Sequence, residues 1–322
     1  MLPTPLTRAA SLGHSGRDVY LKIETGLPTG SFKVRGAIYS LSTNAARRRV
    51  ADVVAASTGN HGAAVAYAGR LLGIPATIFL PANPNPVKAE RIRELGARIV
   101  EGGADLSAAI DAAYDYCARG GAFFLHDAAD PDIPSGTATI AAEIVEQLPT
   151  VGAIYVPMGD TALVRGVASA AKRLKPAVRI VGVVAERAPV YALAWRSGEA
   201  TETASADTIA DGLAVRRALA PNVASIRALV DDVRTVSDEE MLRAIDWLMT
   251  HEDVIAEPAG AAATAAFLDE VRLKADATYD ASGATHDASA GPSVLLVTGG
   301  NIALETTASV DALRRRAPAP RP

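Results

Sequence analysis

The chain has 322 residues, of which 49% are hydrophobic and 21% charged, with a formal net charge of −4 and a pI near 5.8. This balance is typical of a globular protein and lacks the basic face that nucleic-acid binding requires. The first residues contain no continuous apolar segment, and no run of about 18 apolar residues occurs, so we expect neither export nor membrane insertion, and a cytoplasmic location. The single cysteine, Cys117, excludes an intramolecular disulfide.

The first half of the chain alternates strands and helices. A strand at 18–24 precedes a helix that begins near Val34, and a strand at 53–57 leads through the turn STGNHG into a helix closed by Gly73. Three further strands follow, with helices between them, at 76–81, 97–103 and 122–128. Strands that alternate with helices of about 10–15 residues predict parallel βαβ units.

The second half continues the same alternation. Helices are predicted at 137–148, 162–174 and 238–250 and from Pro258 onward, and strands at 153–159, 179–186 and 293–300. The length exceeds the usual ~100–200 residues of one domain, so we expect a small domain of residues 52–131 inserted in a large domain of 1–51 and 132–322. The high content of Ala, Ser, Asp and Gly in residues 274–292 predicts a mobile surface loop. Residues 315–322 are predicted to form a disordered tail.

The stretch TGLPTGSFKVRGA at 25–37 carries the clearest chemical signal. It places Lys33 after a Gly-Ser-Phe turn, at the start of a helix. A lysine amine has an ordinary pKa of about 10.4, but desolvation beside an aromatic ring and a helix N-terminus makes it a nucleophile toward an aldehyde. For an isolated lysine, a surface position at a helix start is the commoner explanation. Two more motifs accompany it, at 56–68 (ASTGNHGAAVAYA) and 294–301 (VLLVTGGN).

In this order, the motifs resemble those of the fold-type II pyridoxal-phosphate (PLP) enzymes, nearest to the threonine/serine dehydratases and serine racemases. Further matching stretches lie at 73–100, 207–215 (DTIADGLAV) and 257–262 (EPAGAA), so the resemblance extends from Thr4 to about Ala303. It implies a tryptophan synthase β-like α/β fold: two lobes with parallel or mixed sheets and helices on both faces. It also implies pyridoxal 5'-phosphate as cofactor in the cleft between the lobes, and a homodimer.

The resemblance assigns a role to each matching residue. Lys33 would hold the cofactor covalently and later take the Cα proton of the substrate, while Phe32 would lie against the cofactor ring. Asn60 would hydrogen-bond the phenolic oxygen of the cofactor. The substrate carboxylate would be bound by the turn that contains Ser57, Thr58, Gly59, Asn60 and His61. The alternative for this turn is an ordinary strand-to-helix connection with a serine or threonine cap.

Three other matching positions bear on the type of reaction. Serine racemases commonly have a serine at the position of Thr58, which returns a proton to the opposite face of the substrate, so Thr58 is a candidate second proton carrier or a carboxylate contact. Thr298 matches the residue that meets the pyridine nitrogen. A neutral hydroxyl does not keep that nitrogen protonated, which favours elimination over transamination. Glu257 matches a glutamate near the cofactor, or is a helix-start residue favoured by the dipole.

The phosphate-binding segment departs from the family pattern. Relatives usually have four glycines and a leucine, whereas VPMGDTAL keeps Gly159 and Leu163 and replaces the other glycines by Asp160, Thr161 and Ala162. A carboxylate about 4 Å from a phosphate costs about 4 kcal/mol at an effective dielectric constant of 20, so we expect Asp160 to turn away or to contact a backbone amide. Residues 136–139 also depart, reading GTAT instead of Gly-Gln-Gly-Thr.

We therefore predict PLP-dependent α,β-elimination from a β-hydroxy amino acid, such as L-threonine or L-serine, to a 2-oxo acid and ammonia. A racemase or a β-replacement enzyme is the alternative on the same scaffold. A non-catalytic protein that binds PLP or an amino acid is the alternative of another class, suggested by Asp160 and the missing glycines. The five histidines show no metal-ligand spacing, so no metal site is predicted.

Overall fold

The computed structural model describes residues 2–13, 18–57, 59–84, 86–277 and 291–316, of which 272–277 and 316 are described by their backbone alone. The chain divides into two compact units. The smaller unit is Leu27–Thr139, and the larger combines Met1–Gly26 with Ile140–Pro322. No helix within the described ranges is long and apolar enough to cross a membrane.

Strands and helices alternate through most of the chain. The strands are β1 (Leu6–Arg8), β2 (Val19–Ile23), β3 (Asp52–Ala56), β4 (Ala76–Leu80), β5 (Arg98–Glu101), β6 (Ala122–Phe124), β7 (Ala153–Pro157), β8 (Arg179–Ala185), β9 (Asp232–Val236) and β10 (Ser293–Val297). The helices are α1 (Lys33–Arg47), α2 (Asn60–Leu72), α3 (Pro86–Glu94), α4 (Leu106–Ala118), α5 (Ile133–Gln147), α6 (Ala162–Leu174), α7 (Val190–Ser197), α8 (Ala220–Leu229), α9 (Asp238–His251), α10 (Pro258–Ala277) and α11 (Leu304–Arg316).

The smaller unit is built on a parallel sheet with the strand order β5-β4-β3-β6. All five residues of β4 and the middle of β3 are buried, as expected for a parallel sheet covered on both faces. Helix α2 ends where the sequence predicts, because Gly73 adopts a left-handed conformation with φ of 66°. Since all four strands are parallel, their carboxyl ends lie at one edge of the sheet.

The larger unit contains a six-stranded sheet with the order β1-β2-β10-β7-β8-β9. Strand β1 runs antiparallel to β2, and the remaining neighbours are parallel. Strands β7 and β10 are buried along their whole length, and the alanine-rich helix α10 packs against both. The two sheets confirm the predicted α/β class with one parallel and one mixed sheet.

The unit boundaries differ from those that the sequence suggested. They fall at Leu27 and Thr139 rather than at 52 and 131, so α1 belongs to the smaller unit. The reason is close packing: α1 lies against α2, and the first turns of α5 approach α1 so closely that a Cβ at Gly136 would lie 2.4 Å from the carbonyl oxygen of Arg35. The side chains of Arg35 and Thr139 also hydrogen-bond, at 2.9 Å.

Two segments predicted to be irregular begin as helix. Helix α10 continues through Ala277, so residues 274–277 are helical, as their Lys and Ala content favours. Residues 278–290 lie outside the described residues. Helix α11 likewise reaches Arg316, two residues into the predicted tail, and 317–322 lie outside the described residues.

Candidate active site

Lys33 is the first residue of α1, and Phe32 is the residue that precedes the helix. The Lys33 side chain is only 13% exposed, and its Nζ lies 5.3 Å from the centre of the Phe32 ring. Nζ donates a hydrogen bond to Oδ2 of Asp127 at 2.6 Å. The lysine that the sequence singles out is therefore a largely buried amine in an ion pair, rather than a surface side chain.

Asp127 follows β6 and links Lys33 to a histidine. Its second oxygen, Oδ1, lies 3.4 Å from Nδ1 of His61, which is 5% exposed. Nε2 of His61 contacts the carbonyl oxygen of Leu125 at 2.8 Å. A carbonyl only accepts hydrogen bonds, so Nε2 carries a hydrogen. Strands β3 and β6 are parallel neighbours, and this brings the start of α2 and the segment after β6 to the same edge of the sheet.

The turn between β3 and α2 contains the residues predicted to bind a carboxylate. Ser57 Oγ accepts a hydrogen bond from the amide of Gly59 at 3.2 Å, and Asn60 opens α2. Thr58 lies outside the described residues. The turn folds tightly back on the helix, because a Cβ at Gly62 would lie 2.3 Å from the carbonyl oxygen of Ser57. A helix N-terminus of this kind favours an anion through its backbone N–H groups and its dipole.

His126, next to Asp127, is held in its neutral form. Burial lowers the pKa of His126, the neighbouring His61 lowers it further, and the carboxylate of Asp127 opposes the shift. Its Nδ1 accepts hydrogen bonds from the amides of Ala128 and Ala129 at 3.2 and 3.3 Å. Protonation of Nδ1 would break both bonds, so the ring fixes the loop after β6 as a neutral acceptor.

The lowered pKa of His126 leads us to expect that the stability of the protein depends on pH. Since its pKa is lower in the folded state than its ordinary value of 6.5, the unfolded chain binds a proton first as the pH falls. The contribution of the neutral His126 ring to the free energy of unfolding is therefore fully present above pH ~6.5 and decreases as the pH falls below that value. We expect His126→Asn, which keeps an acceptor but does not titrate, to reduce the slope of unfolding free energy against pH between 7 and 5. Denaturant titrations at several pH values measure that slope, and equal slopes in both proteins would contradict the assignment.

In the larger unit, the segment Gly159 to Leu163 connects β7 to α6. Gly159 packs against another backbone, since a Cβ there would lie 2.1 Å from the carbonyl oxygen of Gly212. Oδ1 of Asp160 accepts a hydrogen bond from the amide of Ala162 at 2.9 Å, which confirms the expectation that this carboxylate contacts a backbone amide. The backbone oxygen of Asp160 accepts from Nδ2 of Asn222 at 3.3 Å.

Thr161 has an unusual conformation for its residue type. Its φ is 76°, a left-handed value that favours glycine and costs other residues on the order of 1–3 kcal/mol. The residue is 1% exposed, and its Oγ1 has no hydrogen-bond partner in the described part of the chain. One turn further along α6, burial lowers the pKa of Arg165, while the charges of Asp160 and Tyr191 act to raise it. The helix start therefore combines a buried hydroxyl, backbone amides and a guanidinium, which suit an anion.

Thr298 and Glu257 lie in the same unit as this turn. Thr298 directly follows β10 and is 3% exposed. Because β10 and β7 are parallel neighbours, Thr298 and the Gly159 turn lie at the same edge of the larger sheet. The amide of Glu257 donates to the carbonyl oxygen of Gly299 at 2.9 Å, which ties the start of α10 to the same edge.

Each unit contains groups that suit a part of pyridoxal phosphate. In the smaller unit a largely buried primary amine suits its aldehyde, and in the larger unit a buried hydroxyl with a helix N-terminus suits its phosphate. Sequence reasoning missed Asp127, Arg165 and Asn222. Asp127 had a readable signal, because it lies at the carboxyl end of the strand predicted at 122–128, and functional groups of α/β proteins collect at that edge of a parallel sheet.

Comparison with known proteins gives matches over most of the chain. A family model described as "Pyridoxal-phosphate dependent enzyme" matches residues 1–281. The L-threonine ammonia-lyase of Thermotoga maritima is 37% identical over 260 residues, which are 81% of this chain and 65% of that protein, so the chain spans less than two thirds of that relative.

Two solved structures share the fold. Maize serine racemase is 30% identical with a TM-score of 0.85, covering 98% of this chain and 93% of its own. The processed form of threonine deaminase isoform 2 from Solanum lycopersicum is 28% identical with a TM-score of 0.87, covering 98% of this chain and 84% of its own. These similarities confirm the fold type expected from the sequence motifs.

Proposed function

This chain belongs to the pyridoxal-phosphate dependent enzyme family, and from that premise we propose that it catalyses the α,β-elimination of a β-hydroxy amino acid. L-threonine and L-serine are the proposed substrates, and a 2-oxo acid and ammonia the products. The observation that carries the proposal is the largely buried amine of Lys33, held by a carboxylate at 2.6 Å. The similarity to an L-threonine ammonia-lyase supports the choice of reaction.

Lys33 acts twice in this proposal. Pyridoxal phosphate, when bound, supplies the electron sink that makes the Cα hydrogen of an attached amino acid acidic. Lys33 would hold the aldehyde end of the cofactor through Nζ while no substrate is bound. Nζ then takes the Cα proton and holds it beside Asp127. The β-hydroxyl leaves as water and the nitrogen as ammonia after hydrolysis, so L-threonine gives a four-carbon 2-oxo acid.

Other residues bind and orient. The N-terminus of α2, from Ser57 through His61, would bind the substrate carboxylate, and Asn60 would donate to the phenolic oxygen of the cofactor. Phe32 would lie against the cofactor ring. Thr298 would offer a neutral hydroxyl to the pyridine nitrogen, and Glu257 would lie near the cofactor.

The segment from Gly159 to Leu163 binds the cofactor phosphate. Its support is the start of α6, where the buried hydroxyl of Thr161 has no hydrogen-bond partner within the described residues and the helix N-terminus favours an anion. The carboxylate of Asp160 already takes the amide of Ala162, so the phosphate would use the remaining groups of this turn.

The hydroxyl of Thr161 gives a test of phosphate binding. We expect Thr161→Gly to raise the free energy of unfolding of the cofactor-free protein by about 1 kcal/mol, because glycine adopts the left-handed conformation without strain and leaves no buried hydroxyl unsatisfied. The same change weakens PLP binding roughly tenfold, as one charge-assisted hydrogen bond is lost. Denaturant titration and equilibrium dialysis measure the two effects.

Thr161→Ser is the matched control, since it retains both the hydroxyl and the strained backbone. It keeps wild-type affinity for the cofactor. If Thr161→Gly binds PLP as tightly as the wild type does, the hydroxyl of Thr161 does not contact the phosphate.

The activity is tested by incubating the PLP-loaded protein with L- and D-threonine and L- and D-serine and measuring the 2-oxo acid. We expect 2-oxo acid from an L-enantiomer and an equal amount of ammonia. Turnover that needs added sulfide would point to β-replacement instead. A protein that stays colourless with PLP and forms no product would be a binding protein, and the proposal would be wrong.

Racemisation is a second candidate, favoured by the similarity to maize serine racemase over 98% of this chain. In this reading the hydroxyl of Thr58 returns a proton to the face of Cα opposite Lys33. Chiral chromatography of L-serine after incubation distinguishes the two reactions. D-serine without 2-oxo acid would establish racemisation as the main activity.

We further propose that the protein works as a homodimer in the cytoplasm. Family resemblance supports the dimer, and a single cysteine is compatible with a reducing compartment. Sedimentation equilibrium of the purified protein determines the oligomeric state; a monomer of 33.2 kDa would refute the dimer.

A further inference from the structure

Two side chains from separate elements, Lys33 and His61, meet at the carboxylate of Asp127. Asp127 Oδ2 accepts from Nζ of Lys33 at 2.6 Å, and Asp127 Oδ1 lies 3.4 Å from Nδ1 of His61. Lys33 opens α1, His61 lies in the first turn of α2, and Asp127 follows β6. The arrangement is built into the smaller unit by its helix packing and strand order.

A buried histidine lies beside the other oxygen of this carboxylate. His61 is 5% exposed, and its Nε2 donates to the carbonyl oxygen of Leu125, two residues before Asp127. The ring is thereby fixed with Nδ1 directed toward Oδ1 of Asp127. A carboxylate oxygen only accepts hydrogen bonds, so this contact is attractive to an ionised Asp127 only when Nδ1 of His61 carries a proton. Asp127 thus has His61 beside one oxygen and presents its other oxygen to Lys33.

The pairing has an electrostatic consequence for the amine. The Lys33 and Asp127 side chains are 13% and 28% exposed, so solvent screens the pair less than it screens a surface salt bridge. An opposite charge at this distance stabilises the ammonium form of lysine. When Nζ of Lys33 accepts a proton in the proposed reaction, the carboxylate of Asp127 therefore lies beside the positive charge that forms.

We propose that Asp127 is the positioning residue for Lys33, which aims Nζ while the lysine is not bonded to the cofactor and stabilises the ammonium group that forms when Nζ takes the Cα proton. This inference rests on the proposed function and deepens it. In the step, the C–H bond breaks and its electron pair stays on the substrate carbon. The proton forms a new N–H bond on Nζ, and the charge gained there is offset by the carboxylate at 2.6 Å.

The other ionisable groups near this pair do not replace Asp127. His126 is neutral, because burial lowers its pKa and its Nδ1 accepts two backbone amides. Asp130 accepts from the amides of Asp132 and Ile133 with its Oδ1. On α1 itself, Phe32 offers only an aromatic ring to Nζ, at 5.3 Å.

The test compares Asp127→Asn with Asp130→Asn in the PLP-loaded protein. Asparagine at 127 keeps the shape but removes the charge. We expect kcat for 2-oxo acid formation to fall roughly 10- to 100-fold with KM changed less than about threefold. The acidic limb of the kcat–pH profile moves to lower pH by about one unit or more, since the ammonium form loses its counter-charge. Asp130→Asn, which retains an acceptor for the two amides, changes neither quantity.

A second readout does not depend on turnover. Cofactor-free protein is mixed with pyridoxal 5'-phosphate at a series of pH values, and the rate at which the visible absorption band grows is recorded. The midpoint of this rate profile also moves to lower pH in Asp127→Asn. Asp127→Ser, smaller and equally uncharged, provides the same comparison if the asparagine variant does not fold.

The outcomes separate the two proposals. Unchanged midpoints and a kcat within threefold of wild type would overturn the role of Asp127. If the midpoint for cofactor attachment is shifted in Asp127→Asn but the wild-type protein makes no 2-oxo acid, the pairing of Asp127 with Lys33 is supported and elimination is refuted.

Discussion

Lys33→Ala is expected to reduce 2-oxo acid formation by at least about 10³-fold, because it removes both the nucleophile that bonds the cofactor and the base that takes the Cα proton. The substitution leaves Asp127 without the ammonium group at 2.6 Å, while the fold of α1 is unaffected since alanine favours a helix. The measurement is the rate of 2-oxo acid release from L-threonine at saturating PLP.

Lys172→Ala is the matched control for this experiment. Lys172 also pairs with an aspartate, Asp231, at 2.7 Å, but it lies on α6 and its side chain is 25% exposed. We expect it to keep wild-type turnover, so a general loss of lysine–aspartate pairs is separated from the specific loss of Lys33. Turnover by Lys33→Ala within tenfold of the wild type would exclude Lys33 from the chemistry.

Gly159→Ala is expected to produce the second large effect, on both stability and cofactor binding. A Cβ at this position would lie 2.1 Å from the carbonyl oxygen of Gly212, a distance that forces two backbone segments apart. We expect the free energy of unfolding to fall by about 2 kcal/mol. Because the displaced turn leads directly into α6, PLP binding weakens at least about tenfold.

Denaturant titration and equilibrium dialysis measure these two losses. Gly102→Ala is the control, since a Cβ there meets nothing within 4 Å and its φ is not positive. It leaves both quantities at their wild-type values. A Gly159→Ala protein with normal stability and affinity would show that the turn tolerates a side chain and that its close approach to Gly212 is not needed.

Much of the fold was predictable because local signals and tertiary packing agree. The buried strands β3, β4, β7 and β10 are continuous apolar runs between turn residues, and such runs predict parallel strands. The end of α2 at Gly73 follows from the preference of glycine for a left-handed C-terminal conformation.

Elements with weaker patterns were missed. Strand β9 (DVRTV) buries only Val233 and Val236 among charged and exposed neighbours, so it reads as part of a polar connection. Helix α8 begins with Ala-Pro-Asn and has little amphipathic pattern. Both are stabilised by the larger unit: β9 pairs with β8, and α8 packs against α6 and α7.

The boundaries of the compact units differ from the predicted domain boundaries for a different reason. Sequence patterns indicate which segments are helical but not which sheet a helix accompanies, so the assignment of α1 depended on contacts with α2 and α5.

Residues of the candidate site could be predicted from the sequence where a local motif contains them. Contacts between segments that are distant in the sequence could not. Lys33 stands at a helix start that the sequence predicts, and Asp160 contacts a backbone amide as its charge requires. The pairing of Lys33 with Asp127 joins residues 94 positions apart. No local pattern marks such a pair. The left-handed conformation of Thr161 was equally hidden, because threonine does not indicate a positive φ.

Peptide mapping after borohydride reduction determines whether Lys33 holds the cofactor. Purified protein is loaded with PLP, reduced to make the carbon–nitrogen link permanent, digested and analysed by mass spectrometry. We expect one pyridoxyl group per chain, on the peptide that contains Lys33. A modified peptide elsewhere in the chain, or none at all, would contradict it.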